Sequence, residues 1–172
     1  MHKGGQGNFP HVMSLQNDTL RLGIDIGSTT VKAALLDQNS HIIFSDYERH
    51  YANIQETLAG LLKKARQVTG PVAVTPVITG SGGLTLSSHL DAPFVQEVVA
   101  VASALQAEAP QTDVAIELGG EDAKIIYFTG GIDQRMNGIC AGGTGSFIDQ
   151  MAALLQTDAA GLNTYAKDYK AI

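Results

Sequence analysis

A short internal repeat constrains the possible folds of this chain more than any other feature of the sequence. A shift of about 92 positions places IELGG at residues 116–120 on IDIGS at residues 24–28. The same shift places Lys124 on Lys32. Each copy therefore has an apolar strand with one carboxylate, a turn of small residues and a returning strand with a lysine. We interpret the match as a duplication and expect two lobes built on one plan.

The residues around the first copy predict a mixed lobe of strands and helices. Three β-rich runs, separated at Gly27-Ser28 and at residues 38–40, predict a three-stranded antiparallel meander that starts at Thr19. Apolar residues at helical spacing follow, and Asn53 and Gly70-Pro71 mark the ends of one amphipathic helix. We expect this helix to pack on the meander.

The rest of the chain continues the pattern of strands and helices. A buried strand is predicted over Val72–Thr79 and a second helix over Gln96–Glu108. The second copy repeats the meander up to Met136, and a further helix is predicted over Phe147–Leu155. This order is typical of an α/β fold.

The repeat also predicts the domain boundaries. We expect a first lobe over residues 19–111 and a second lobe over residues 112–172, which is incomplete when compared with the first. Residues 1–18 contain several glycines without an apolar period, so we interpret them as a flexible leader outside the fold.

Composition excludes several classes of partner and site. The chain has 11 Lys and Arg against 17 Asp and Glu, which argues against nucleic acid as the main partner. No apolar stretch approaches the length of about 20 residues that a membrane span needs, and no signal peptide is evident, so we expect a cytoplasmic protein. A single cysteine, Cys140, excludes an intrachain disulfide. The five histidines lack ligand spacing, and we expect surface or satisfied roles for them.

The two turns of small residues are the main candidates for ligand binding. Backbone N–H groups and hydroxyls of such turns form concave nests for anionic oxygens, so two opposed turns would clamp a polyphosphate. Asp25 and Glu117 lie two residues before their turns, where a carboxylate holds Mg²⁺ through water. The turn residues concerned are Gly27, Ser28, Thr29 and Thr30 in the first copy, and Gly119 and Gly120 in the second. The alternative is that the glycines serve only hairpin geometry and that Asp25 is an exposed strand residue.

Two further residues have alternative interpretations. Cys140 precedes a glycine-rich run and a predicted helix, whose free N–H groups and dipole would stabilise a thiolate or a bound cluster. The alternative is a lone cysteine that packs as a small apolar residue. Ser81 lies in a Gly-rich turn without the G-x-S-x-G pattern of hydrolases, which favours a loop that lines the cleft over a nucleophile.

Three segments together resemble a known family. They are GIDIGSTTVK at residues 23–32, IELGGEDAK at residues 116–124 and MNGICAGGTGSFIDQMA at residues 136–152. This combination resembles the activator component of 2-hydroxyacyl-CoA dehydratases and the related ATPase subunits of benzoyl-CoA reductase, over about residues 20–170. The resemblance implies the superfold of actin, Hsp70 and sugar kinases, with duplicated ribonuclease H-like ATPase lobes, of which the second is incomplete here.

The resemblance also implies a function. Such activators hydrolyse ATP with Mg²⁺ and drive a low-potential electron from a [4Fe–4S] cluster into a dehydratase partner, which is fused in the same gene in some proteins. By position, Asp25 and Glu117 match catalytic residues, Asp25 matches the carboxylate that holds Mg²⁺ through water, and the two turns match the phosphate motifs. The family has aspartate where this chain has Glu117, which is one methylene longer. Cys140 matches a cluster ligand.

The resemblance leaves two alternative functions open. A small-molecule or carbohydrate kinase of the same superfold would need a general base in the cleft, and the sequence identifies none. The other alternative is a nucleotide-binding module without catalysis.

In the family a homodimer shares one cluster, and two copies of this chain supply only two of the four thiolates that the cluster needs. We therefore expect that these 172 residues alone hold no stable cluster and are inactive.

Overall fold

The computed structural model describes residues 19–139 and 142–170, and these residues form two β-sheets with associated helices. The predicted leader at residues 1–18 and the candidate ligand Cys140 lie outside the described residues. The elements in chain order are β1 Leu20–Ile26, β2 Thr30–Leu36, β3 Ile42–Arg49, α1 Ile54–Thr69, β4 Val74–Thr79, α2 Gly83–Leu90, α3 Glu97–Glu108, β5 Val114–Leu118, β6 Ala123–Tyr127, β7 Asp133–Met136, α4 Gly145–Leu154 and α5 Ala159–Ala166.

The first sheet has the strand order β3-β2-β1-β4. Strands β1, β2 and β3 form the predicted antiparallel meander, which is confirmed. Strand β4 pairs with β1 in parallel, and the connection from β3 to β4 runs through α1. A parallel pair needs such a crossover because its strands point the same way.

Alternation along β1 separates the core from the candidate site. Leu22, Ile24 and Ile26 are buried in one cluster with Leu58 and Leu61 of α1. Burial of each such side chain contributes roughly 1.5–3 kcal/mol. Successive strand residues point to opposite faces, so the residue between Ile24 and Ile26 faces away from this core. That residue is Asp25, and the pattern of β1 therefore directs its carboxylate toward the opposite side of the sheet.

The strand predicted over Val72–Thr79 is present as β4, but the prediction that it is buried is wrong. Strand β4 begins at Val74, and only Ile78 is buried, whereas Val74 is 39% exposed and Val77 is 38% exposed. The reason is that β4 is the last strand of its sheet, and apart from a bridge between Ile78 and Phe94 its outer edge has no strand beside it among the described residues. An edge strand also tolerates the missing N–H of Pro76.

The predicted helix ends agree with the structure in position. Asn53 occupies the N-cap of α1, although its side chain makes no capping hydrogen bond. Gly70 ends the helix with a φ of 71°, a left-handed conformation that glycine adopts without strain. The sequence did not predict helices α2 and α5.

The second sheet repeats the plan of the first meander. Strands β5, β6 and β7 are antiparallel neighbours in this order, which confirms the predicted three-stranded second copy. Glu117 pairs with Lys124 in the same register in which Asp25 pairs with Lys32. Among residues 19–139 and 142–170, none of the helices combines the length and apolar character that a transmembrane segment requires.

Candidate functional site

The two turns of the repeat are closed by equivalent hydrogen bonds. The N–H of Gly27 donates to the carbonyl of Thr30 at 2.9 Å, and the N–H of Gly119 donates to the carbonyl of Asp122 at 2.8 Å. Both bonds join the residues at the ends of a four-residue turn. The internal repeat therefore extends from sequence to backbone geometry.

The turns face each other closely, and Gly120 permits this approach. A Cβ atom at Gly120 would lie 2.7 Å from Oγ1 of Thr29 and 2.9 Å from Oγ of Ser28. Both distances are shorter than a carbon atom tolerates. Ser28 occupies the corresponding position in the first turn, so one turn contributes a hydroxyl where the other must leave space.

Each carboxylate before a turn pairs with the lysine of the returning strand. Oδ2 of Asp25 lies 2.7 Å from Nζ of Lys32, and Oε1 of Glu117 lies 3.5 Å from Nζ of Lys124. The second oxygen of each carboxylate, Oδ1 of Asp25 and Oε2 of Glu117, is buried and has no hydrogen-bond partner in the described part of the chain. Buried carboxylate oxygens without partners carry a desolvation cost, so both oxygens are ready to accept from a ligand.

A cleft of about 290 Å³ is lined by the turn residues that the sequence identified as candidates for ligand binding. Ser81 also lines it, as expected for a loop at the cleft. The candidate residues from the sequence that line the cleft are Asp25, Gly27, Ser28, Thr29, Thr30, Glu117, Gly119 and Gly120. A larger groove of about 980 Å³ begins at Asp25 and Thr79, but its walls are mainly apolar, so the smaller cleft is the candidate phosphate site.

The carboxylate oxygens of the cleft are suited to bind a hydrated cation. Among the described residues, no group of three or more His, Cys, Asp or Glu side chains converges closely enough to hold a metal ion directly. Mg²⁺ ordinarily keeps several waters and takes its other ligands from substrate phosphates. The partnerless oxygens of Asp25 and Glu117 suit such waters, since both accept hydrogen bonds only.

The sequence did not identify Glu97, a further carboxylate that lines the cleft. Glu97 lies in the first turn of α3 and forms a hydrogen-bonded ion pair with Lys124 of β6, which joins this helix to the second sheet. Burial lowers the pKa of Lys124, but the hydrogen bond to Glu97 and the charge of Glu117 outweigh it, so the pKa lies above the ordinary 10.5. No sequence motif links residues that only helix packing brings together.

His50 is hydrogen-bonded to the backbone of the first turn. Its side chain is buried, and Nδ1 accepts a hydrogen bond from the N–H of Ala52 at 3.1 Å. Nε2 therefore carries the hydrogen and donates to the carbonyl of Gly27 at 3.2 Å. The backbone N–H of His50 also donates to the carbonyl of Thr29. These bonds agree with the expectation of a satisfied histidine.

The sequence predicted free backbone N–H groups at the start of α4 that would stabilise a cluster, but two of these groups are hydrogen-bonded. The N–H of Gly145 donates to the carbonyl of Gly119 at 3.1 Å, and that of Ser146 donates to the carbonyl of Gly120 at 2.8 Å. These two groups are therefore occupied by the second turn. Cys140 lies outside the described residues, and one cysteine per chain does not complete a [4Fe–4S] site.

Comparisons with known proteins agree with this geometry. The chain matches the BadF/BadG/BcrA/BcrD ATPase family over residues 22–166. It is 34% identical to the activator of lactoyl-CoA dehydratase from Anaerotignum propionicum, over 79% of this chain and 54% of that protein. It is 30% identical to the 2-hydroxyisocaproyl-CoA dehydratase activator from Clostridioides difficile, over 83% of this chain and 55% of that protein. The chain thus spans about half the length of these relatives.

The fold agrees as well. The structure of the activator of the 2-hydroxyisocaproyl-CoA dehydratase from Clostridium difficile with bound ADPNP superposes with a TM-score of 0.76 at 28% identity. The match covers 89% of this chain and 58% of that one. These findings confirm the resemblance and the α/β fold of the actin and Hsp70 type. The chain therefore belongs to the BadF/BadG/BcrA/BcrD ATPase family.

Proposed function

We propose that this chain is the nucleotide-binding part of an ATP-hydrolysing activator, which drives electron transfer into a 2-hydroxyacyl-CoA dehydratase-type partner. Its membership of an ATPase family and the names of its relatives support the proposal. The observation that carries it is the pair of opposed turns, each preceded by a carboxylate with one buried, partnerless oxygen. The limits of the two lobes, residues 19–111 and 112–172, are part of the proposal.

The residues of the cleft have separate roles in this proposal. Backbone N–H groups of both turns and the hydroxyls of Ser28, Thr29 and Thr30 bind the phosphate oxygens. Asp25 and Glu117 would hold a bound Mg²⁺ by accepting hydrogen bonds from its waters. Catalysis of phosphoryl transfer depends mainly on such positioning and on neutralisation of charge. Bound Mg²⁺ would supply that neutralisation.

The iron–sulfur part of the proposal concerns the assembled protein. A [4Fe–4S] cluster transfers single electrons at low potential and needs four thiolate ligands. We propose Cys140 as one of these ligands, in a homodimer that shares the cluster. Two copies of this chain contribute two thiolates, so they do not supply the complete ligand set of the cluster by themselves.

ATP turnover with candidate acceptors separates the activator from a kinase of the same superfold. ADP formation should not depend on any sugar in a panel of acceptors, and it should couple to reduction of a dehydratase in the full activator system. Sugar-dependent ADP formation would instead identify a kinase. Three further carboxylates line the cleft, and Glu97 among them is held in an ion pair by Lys124; the others are Glu121 and Asp122.

Substitutions at the first turn test the nucleotide site directly. Asp25→Ala and Thr29→Ala should weaken Mg-ATP binding by roughly 1.5–3 kcal/mol each, because each removes a contact to the charged ligand. Asp133→Asn is the matched control, since Asp133 is exposed on β7 outside the cleft. Affinities within twofold of the unaltered chain in both variants would contradict the assignment. A lower melting temperature without ligand would indicate a structural role instead.

A further inference from the structure

Thr79 is a polar residue of the cleft that neither the repeat nor the phosphate motifs identify. It is the last residue of β4, and its backbone pairs with that of Asp25 across the parallel strands. Its hydroxyl oxygen is buried and has no hydrogen-bond partner within residues 19–139 and 142–170. A buried hydroxyl without a partner is rare in folded proteins, because it loses its bonds to water on folding.

Packing of the strand does not explain a threonine at this position. Valine has nearly the same shape and is equally suited to a strand, and it would bury no polar atom. The structure of the wall around Asp25 indicates a different reason. Gly80 follows with a φ of 94°, and a Cβ atom there would clash with the carbonyl oxygen of Ile26 and would lie 2.5 Å from Oδ1 of Asp25. Glycine therefore leaves room for both the backbone of Ile26 and this carboxylate oxygen, and the preceding residue places a hydroxyl at the cleft.

Three partnerless polar atoms share this one cleft. They are Oγ1 of Thr79, Oδ1 of Asp25 and Oε2 of Glu117. The two carboxylate oxygens accept only, whereas a hydroxyl both donates and accepts. A layer of water molecules would satisfy all three, because each of these oxygens accepts a hydrogen bond from water. Such a layer is the shell that a hydrated divalent cation carries with it when it binds with a polyphosphate.

We propose that Thr79 is a binding residue for this hydrated cation, and that its hydroxyl holds a cation-bound water next to Asp25. The inference rests on the proposed nucleotide function and deepens it, since it adds a ligand contact from β4 to those of the two turns. It also assigns the ligand class at this end of the cleft, which is a divalent cation with its waters rather than a phosphate oxygen bound directly.

Isothermal titration with Mg-ATP tests the inference on three variants of the 172-residue chain. Thr79→Val removes only the hydroxyl and should weaken binding about three- to tenfold. Thr79→Ser keeps a hydroxyl and should bind within about twofold of the unaltered chain. Thr75→Val is the matched control, because Thr75 lies on the same face of β4 but is exposed and outside the cleft. It should have no effect.

Mn²⁺ binding followed by electron paramagnetic resonance gives a second readout that is independent of turnover. Thr79→Val should weaken the Mn²⁺ affinity measured in the presence of ATP, and the melting temperature of the ligand-free protein should stay equal or rise. A lower melting temperature, or equal losses in the valine and serine variants, would overturn the inference in favour of packing. Unchanged affinity in Thr79→Val beside a loss in Asp25→Ala would overturn it while the nucleotide function stands. Unchanged affinity in both would overturn the nucleotide function itself.

Discussion

The guanidinium of Arg49, at the end of β3, donates two hydrogen bonds to the carboxylate of Asp149 in α4, at 2.6 and 3.0 Å. These residues are 100 positions apart, and their pair joins the first sheet to the helix that follows the second turn. The hydrogen bond to Asp149 outweighs partial burial and raises the pKa of Arg49. The ion pair is therefore one contact between the first sheet and the helix that follows the second turn.

Loss of this pair should have a small, salt-dependent effect on stability. Both side chains are partly exposed, so solvent screens the pair, and we expect a coupling of about 0.5–1 kcal/mol between Arg49→Gln and Asp149→Asn. A double-mutant cycle of urea unfolding measures it. The coupling should shrink in 1 M salt. A coupling that salt leaves unchanged would contradict this account of the pair.

Glu97→Gln should weaken Mg-nucleotide binding from outside the two turns. Lys124 is only 11% exposed and is shared between Glu97 and Glu117. Without the charge of Glu97, Lys124 should move toward Glu117 and compete with the cation for that carboxylate. We expect a loss of about 1–2 kcal/mol in Mg-ATP binding, measured by calorimetry.

Glu108→Gln is the matched control, since Glu108 is exposed at the other end of the same helix. Equal affinities for the Glu97 and Glu108 variants would show that the Lys124 pair does not influence the site.

Gly120→Ala tests the close approach of the turns. The added methyl group would meet the hydroxyls of Thr29 and Ser28, which must rotate away from the cleft. Because these side chains can move, we expect a small change in stability but a loss of about tenfold in Mg-ATP affinity. Gly138→Ala is the control, because a Cβ atom at Gly138 meets nothing within 4 Å. Similar affinities in the two variants would argue against opposed phosphate-binding turns.

Lys64 should make stability depend on pH at both ends of the range. It bonds to Asp46 and Glu48 of β3, and the hydrogen bond to Asp46 is the main cause that raises its pKa to about 12. The same hydrogen bond lowers the pKa of Asp46 below 3.8. A raised lysine pKa stabilises the fold below pH 10.5, and that stabilisation is lost as pH rises toward 12. A lowered aspartate pKa stabilises above pH 3.8, and that stabilisation is lost on acidification.

Urea unfolding of Lys64→Met against the unaltered chain measures this contribution. The difference in stability should be largest near neutral pH and should narrow below pH 3.8 and above pH 10.5. Lys63→Met, the exposed neighbour, controls for the loss of a surface charge. A pH-independent difference would mean that packing of the lysine stem, rather than charge, is responsible.

The local patterns of this chain predict its local structure well. Alternation in β1 and the small residues at Gly27 and Gly119 were sufficient for both meanders and both turns. The burial of β4 was not predictable, since an apolar run does not show whether its strand has one neighbour or two. Helix α2 begins within the glycines of the Ser81 turn and contains Ser87 and Ser88, so no apolar period marks it.

The cleft was predictable at the two repeated turns and at the loop that contains Ser81. Asp25 and Glu117 are visible as equivalent positions, and they lie in one cleft. Thr79 and Glu97 reach the same cleft from the edge strand and from α3. Their contribution depends on the parallel pairing of β4 with β1 and on an ion pair between α3 and β6. Neither relation leaves a periodic signal, so only the folded chain identifies these two residues.

The central claim is that the two turns bind a single Mg-nucleotide, and a double-mutant cycle in Mg-ATP calorimetry tests it most directly. Asp25→Asn and Glu117→Gln keep the size of each side chain and remove its charge, so each should weaken binding about tenfold. Because both carboxylates face the same cation shell, the double variant should lose clearly less than the product of the single losses. Independent, multiplicative losses, or an affinity within twofold of the unaltered chain in either single variant, would contradict the claim.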